Sequence, residues 1–207
     1  MYQHTRFPQQ CVIEVTAACD QACIHCGRNF MERPKKTMKP EVFERIVDEI
    51  ARESPDCEVW PTFMGEALLL GKKLFRLVKY ARNAGCRKIT LNSNGNRLTE
   101  ENISGLLDCG LDRFIVSCDG HSAKTYESIR VGGRFDRLYK GIHRLLERMR
   151  VDGLKRPLIE LQFSIFDENQ HEVEDFKKYW LDQGVVVKSR PKVYWSGLVE
   201  GGGHRGR

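Results

Sequence analysis

The chain has 207 residues, 41% hydrophobic and 30% charged, which suits one folded domain with a substantial core and is short for two. No apolar run approaches the ~20 residues of a membrane-spanning helix, and Met1-Tyr-Gln-His-Thr-Arg lacks the apolar segment of a secretory leader. The net charge of +6 is interspersed with acidic residues, which argues against a dedicated nucleic-acid surface, and eight cysteines without a leader fit a reducing cytoplasm better than a disulfide framework.

Apolar runs bounded by turn residues alternate six times with amphipathic stretches, the pattern of βα units around a mainly parallel sheet. The first strand is expected from Cys11 to Val15. It leads into Cys19-Asp-Gln-Ala-Cys23-Ile-His-Cys26, three thiols within eight residues. Met38-Lys-Pro40 opens a helix with proline in its first turn, and Val42, Phe43, Ile46, Val47 and Ile50 share one face.

The second strand, Glu58 to Phe63, runs into Met64-Gly65-Glu66, and after Gly71 a helix carries Leu74, Leu77, Val78 and Ala81 on its buried stripe. The third strand, Lys88 to Leu91, ends in the turn-forming Asn92-Ser93-Asn94-Gly95, and Thr99 has the chemistry of an N-cap. The fourth, Arg113 to Ser117, leads to Cys118-Asp119-Gly120-His121. A helical region follows, broken at Gly132-Gly133 and resuming from Phe135 to Met149. A fifth strand at Leu158 to Ile165, a helix from Glu172 to Leu181 and a sixth strand at Val185 to Val187 complete the series.

Six such repeats form either an open (β/α)6 partial TIM barrel or a doubly wound sheet. Both place ligands at the carboxyl ends of the strands, where the cysteine loop, Met64-Gly65-Glu66, Asn92 to Gly95 and Ser117 to Gly120 all fall. Residues 1–190 are expected to be this domain, with 191–207 a tail.

Three thiols at a three-then-two spacing suit three corners of a [4Fe-4S] cubane whose fourth iron stays open to a ligand. A zinc site from Cys19, Cys23, Cys26 and either His25 or Cys11 is the competing assignment. Cys11, Cys57, Cys86, Cys109 and Cys118 are scattered singly and read as small core residues.

The Cys-x3-Cys-x2-Cys motif after the first strand resembles the hallmark of the radical S-adenosylmethionine superfamily, and the resemblance extends from about Val12 to Val187. Met64-Gly65-Glu66 is similar to that family's Gly-Gly-Glu element, which binds the methionine amino group, with Met64 departing at the first position. Ser93-Asn94-Gly95 resembles its Thr-Asn-Gly element, and Ser117-Cys-Asp-Gly120 with Tyr126-Glu-Ser-Ile-Arg130 and Phe135 its Ser-x-Asp-Gly and Tyr-x3-Arg…Phe elements. By that resemblance Cys19, Cys23 and Cys26 hold the cluster. Met64, Gly65, Glu66, Ser93, Asn94, Ser117 and Arg130 bind S-adenosylmethionine, and His25 packs near its adenine.

The resemblance implies reductive cleavage to a 5′-deoxyadenosyl radical that abstracts hydrogen from a small polar metabolite or natural product. Peptide modification and a non-catalytic iron–sulfur role are the alternatives. It also implies an electron donor such as flavodoxin or ferredoxin. Asp119, His121, Gln162, Ser164 and Lys188, near strand ends, are the candidate substrate contacts. Trp195-Ser-Gly197 resembles the point where family members begin a cysteine-rich extension; no cysteine follows Cys118 in this chain.

Overall fold

The computed structural model describes residues 7–192; Trp195-Ser-Gly197 and the glycine-rich tail lie outside them. Six strands and six α-helices follow in order: β1 (Gln10–Val12), α1 (Pro40–Glu53), β2 (Glu58–Trp60), α2 (Lys72–Ala84), β3 (Lys88–Ser93), α3 (Glu100–Asp108), β4 (Arg113–Ser117), α4 (Ala123–Ile129), α5 (Phe135–Val151), β5 (Leu158–Ile165), α6 (Val173–Asp182) and β6 (Val186–Pro191). The strands are all parallel and stand in sequence order from β1 to β6. A doubly wound sheet would reverse its order at a switch point; this one does not, so it is a partial barrel.

Boundaries differ from the sequence expectation for identifiable reasons. β1 stops at Val12 because the next residues turn to residues 36–38: Thr16 bridges Thr37, and the Met38 N–H donates to the Val15 carbonyl at 2.9 Å. β2 ends at Trp60, where Pro61 has no N–H to continue a ladder. β3 runs on to Ser93 because Asn92 and Ser93 pair with Ile115 and Val116 of β4. Thr99 caps α3 as expected, its hydroxyl accepting from the Asn102 N–H.

Alternation along the strands sorts the sheet into two unlike faces. Val59, Ile89, Leu91, Phe114, Val116, Ile159, Leu161 and Phe163 form the apolar set and are buried with Phe43, Val47 and Ile50 of α1 and Leu74, Leu77, Val78 and Ala81 of α2 in one core. The intervening residues, Trp60 and Ile115 apart, are mostly polar and face the barrel lumen. Toward its base, Arg113 donates to Glu58 at 2.8 Å and approaches Glu160 at 3.6 Å, Lys188 pairs with Glu160 at 2.8 Å, and the Thr90 hydroxyl donates to Glu58 at 2.6 Å. Opposite charges thus follow one another from β2 across β4 and β5 to β6.

Burial pushes the carboxyl groups of Glu58 and Glu160 upward, but their hydrogen bonds and neighbouring cations outweigh it, and both titrate below the ordinary 4.5. Their charged forms therefore stabilise the fold above that value, and the contribution is lost as pH falls through the depressed one. Urea unfolding is expected to show stability falling between about pH 5 and pH 3. Arg113→Ala, which strips a cation from two partly or fully buried carboxylates, is expected to cost about 3 kcal/mol at neutral pH and to flatten that acid limb. An unchanged urea midpoint would mean that the lumen network is not structural.

Candidate functional site

Between β1 and a 3₁₀ turn at Gly27–Phe30, the cysteine loop makes no regular structure, so its backbone groups must find partners elsewhere. They find them on two flanks, and both are built from motifs visible in the sequence.

The first flank is the segment after β2. A Cβ on Gly65 would lie 2.0 Å from the Thr16 carbonyl oxygen and 2.8 Å from that of Ala18, so only glycine lets the two backbones meet. The Glu66 N–H then donates to the Ala18 carbonyl at 2.8 Å. The Glu66 carboxylate, 2% exposed, receives the Leu68 N–H and the Ser93 hydroxyl, each at 2.9 Å, and the Asn94 N–H at 2.7 Å. Burial pushes this carboxyl up to about 7 against the pull of those donors. Asn94 in turn donates its amide to Asp20 at 2.9 Å and lies 3.7 Å from the Cys19 Sγ, while Asn96 and Arg97 hold the other Asp20 oxygen, each at 3.0 Å.

The second flank is the end of α4. Ala22 and Ile24 donate their N–H groups to the carbonyls of Val131 and Ile129 at 2.8 and 3.0 Å. Between them Arg130 turns inward, its Nε and Nη2 on one Asp119 oxygen at 2.8 and 2.6 Å and its Nη1 3.9 Å from the Cys23 Sγ. The other Asp119 oxygen accepts the Ser164 N–H at 2.8 Å, which carries the clamp to β5.

A cavity of about 420 Å³ opens on the inner side of this loop. His25, Cys26, Met64, Ser117 and Arg130 line it together with Trp60, Asn92, Gln162, Ser164, Phe166 and Arg190. Gly65, Glu66, Ser93 and Asn94 do not; they stand behind its wall. Because the Glu66 carboxylate is committed to three protein donors, what its segment can offer a ligand is backbone. His25 stacks at 4.9 Å on Phe166, and its Nδ1 is buried without a partner. Burial first, then the charge of Arg130, lowers its pKa to about 4, so the imidazole is neutral.

The candidate substrate contacts divide. Gln162 and Ser164 line the cavity. Asp119 is fully buried and spent on Arg130 and the Ser164 N–H, His121 meets the Tyr139 hydroxyl at 3.0 Å away from the cavity, and Lys188 pairs with Glu160 in the lumen base. Arg190, Trp60 and Phe166 were not singled out from sequence. Alternation along β6, with Lys188 and Arg190 on one face, was the available signal for the first; Phe166 left none.

The three thiols suit a cubane better than a single ion. Among the described residues no three His, Cys, Asp or Glu side chains converge on one metal position as a single zinc ion would need, whereas each thiolate of a cubane binds a different iron. Donors surround the sulfurs: the Gln21 N–H at 3.5 Å and the Asn94 amide on Cys19, Arg130 on Cys23. Such N–H···S contacts tune a cluster. Burial pushes the Cys19 thiol up to about 11 and raises that of Cys23 despite Arg130, so these two bind a metal by giving up a proton.

A family model described as the Radical SAM superfamily matches residues 13–179. An AdoMet-dependent heme synthase of Methanosarcina barkeri is 30% identical over 69% of this chain and 40% of its own length. A probable GTP 3′,8-cyclase of Methanothermobacter marburgensis is 29% identical over 85% of this chain and 55% of its own. The chain thus spans about half the length of these curated relatives. In fold it is similar to Streptococcus suis SuiB, solved with the precursor peptide SuiA, with a TM-score of 0.74 at 15% identity over 94% of this chain and 42% of that one.

Gly65→Ala is expected to push the Thr16–Ala18 backbone aside, at about 1–3 kcal/mol by urea unfolding, and to lower the iron retained after anaerobic reconstitution. Glu66→Gln sets an amide N–H against the Asn94 or Leu68 N–H and is expected to cost a similar amount. Wild-type stability in both would show that the first flank does not hold the loop.

Proposed function

The chain belongs to the radical SAM superfamily, and on that premise we propose that it cleaves S-adenosylmethionine reductively and uses the resulting radical to abstract hydrogen from a small polar metabolite or natural product. The family uses a [4Fe-4S] cluster and S-adenosylmethionine, and the relatives are named as enzymes. When bound, the pair supplies electron-driven cleavage of the sulfonium and a 5′-deoxyadenosyl radical. The observation that carries the reading is that Cys26, the last cysteine of the clamped loop, and the polar lumen residues line one cavity.

Around it the chain's own groups divide the work. Cys19, Cys23 and Cys26 would hold three irons. Arg130, fixed by Asp119, puts positive charge beside Cys23 and offsets the negative charge of a thiolate-bound cluster. The neutral His25 and Phe166, tilted 38° to one another, supply aromatic faces beside Cys26, either of which could stack a purine. Met64, Ser117 and the backbone at Gly65 and Glu66 would bind the remainder of S-adenosylmethionine. Gln162, Ser164 and Arg190 offer a substrate directed hydrogen bonds and one cation. Relatives named for heme synthesis and GTP cyclisation support a small-molecule substrate over a peptide.

A one-electron donor of the flavodoxin or ferredoxin class must supply the reducing equivalent. A reducing cytoplasm suits the chemistry, since all eight cysteines are free and no helix among the described residues is long and apolar enough to cross a membrane.

Anaerobic reconstitution with iron and sulfide is expected to load about four irons per chain, and reduction with dithionite in the presence of S-adenosylmethionine to release 5′-deoxyadenosine. Cys23→Ala should lose the cluster's visible absorbance and the product together. A loaded, reduced wild-type chain that never forms 5′-deoxyadenosine would overturn the reading.

A further inference from the structure

Outside the cavity, a second concavity of about 300 Å³ lies between the residues that follow β3 and the exposed side of α5. Its wall holds four cations, Arg97, Arg137, Lys140 and Arg144, against one carboxylate, Glu100. Arg144 pairs with Glu100 at 2.8 Å and Arg97 with Asp20 at 3.0 Å. Arg137 and Lys140 are exposed and have no ion pair among the described residues.

Two features separate this groove from an ordinary solvated surface. Arg137, Lys140 and Arg144 recur at helical spacing on one face of α5, where like charges repel and weaken the helix, and a carboxylate relieves only one of them. The groove is also held in a fixed shape: a Cβ on Gly141 would lie 2.6 Å from the Leu98 Cβ, so α5 sits hard against the loop and its basic stripe flanks Asn96 and Arg97.

Those two loop residues lead straight to the cluster motif. Asn96 and Arg97, on the groove wall, both hold the carboxylate of Asp20, the residue next to Cys19, and Asn94 bridges Asp20 and the Cys19 Sγ. The groove is therefore joined through Asp20 to the residue next to Cys19, and it shares no lining residue with the cavity.

We propose that this cationic groove is the docking face for an acidic, soluble one-electron carrier protein that reduces the cluster. The proposal rests on the cluster reading above. One electron leaves the carrier's reduced centre and enters the cluster, the carrier departs oxidised by one electron, and no atom is transferred. The groove's surplus positive charge selects an acidic partner and steers its approach, so association is salt-sensitive.

The test uses the reconstituted chain, with an acidic flavodoxin as the probe. Calorimetric binding of oxidised flavodoxin should weaken as sodium chloride is raised. Arg137→Glu/Lys140→Glu should weaken it further by about tenfold and slow flavodoxin-driven bleaching of the cluster to a similar extent. Bleaching by dithionite, a small reductant needing no docking face, should stay at the wild-type rate. Lys155→Glu, before β5 at the opposite end of the barrel, should bind as wild type. Unchanged binding in the double variant, or an equal loss in Lys155→Glu, overturns the proposal. If dithionite bleaches the wild-type cluster and no 5′-deoxyadenosine forms, the proposed function fails, while the binding measurement still decides the docking face.

Discussion

The pairing of Asp119 with Arg130 is the interaction on which the site depends. A buried ion pair recovers its desolvation cost only when the remaining hydrogen-bonding positions of both partners are met. Here they are: Asp119 also takes the Ser164 N–H, and the third guanidinium nitrogen faces the Cys23 sulfur. The pair ties the ends of β4 and β5 to the residue between Ile129 and Val131, whose carbonyls in turn hold the cysteine loop. A charge that would be a liability in an apolar core is thereby made part of the frame that positions a thiol.

The opposite flank works through backbone contact. Gly65 brings two chain segments together at a distance no side chain permits, and Glu66 converts that contact into a link with Ser93 and Asn94. The loop is thus suspended between a steric contact on one side and a charged one on the other. Neither flank is close to the cysteines in sequence, so the geometry of the thiols belongs to the barrel as a whole.

Much of this was legible in the sequence. The alternation of six strands with helices, the cap at Thr99 and the break at Gly132-Gly133 follow from periodicity and turn chemistry and are present, with the ends of β1, β2 and β3 shifted as described; the motif residues were picked out by family resemblance. The roles within the motifs were less visible. Glu66 was open to meeting a ligand by its carboxylate or its backbone and Asp119 to meeting a substrate, and both carboxylates are taken up by protein donors; spacing places a residue at a strand end without saying which way its side chain turns. Choosing between a partial barrel and a doubly wound sheet required the strand order, which no local pattern encodes. Phe166, just past the end of β5, joined the cavity with no local signal, whereas Arg190 had only the alternation of β6 to mark it.

The alternation along the strands has a consequence of its own. Residues that hold the helices to the sheet and residues that meet a ligand interleave one by one, yet they project into separate compartments, one greasy and one wet. A lineage could rewrite the wet set at Asn92, Ser117, Gln162, Ser164 and Arg190 with little disturbance to the greasy set at Leu91, Val116, Leu161 and Phe163. Such a scaffold can drift from one chemistry to another while its architecture stays fixed.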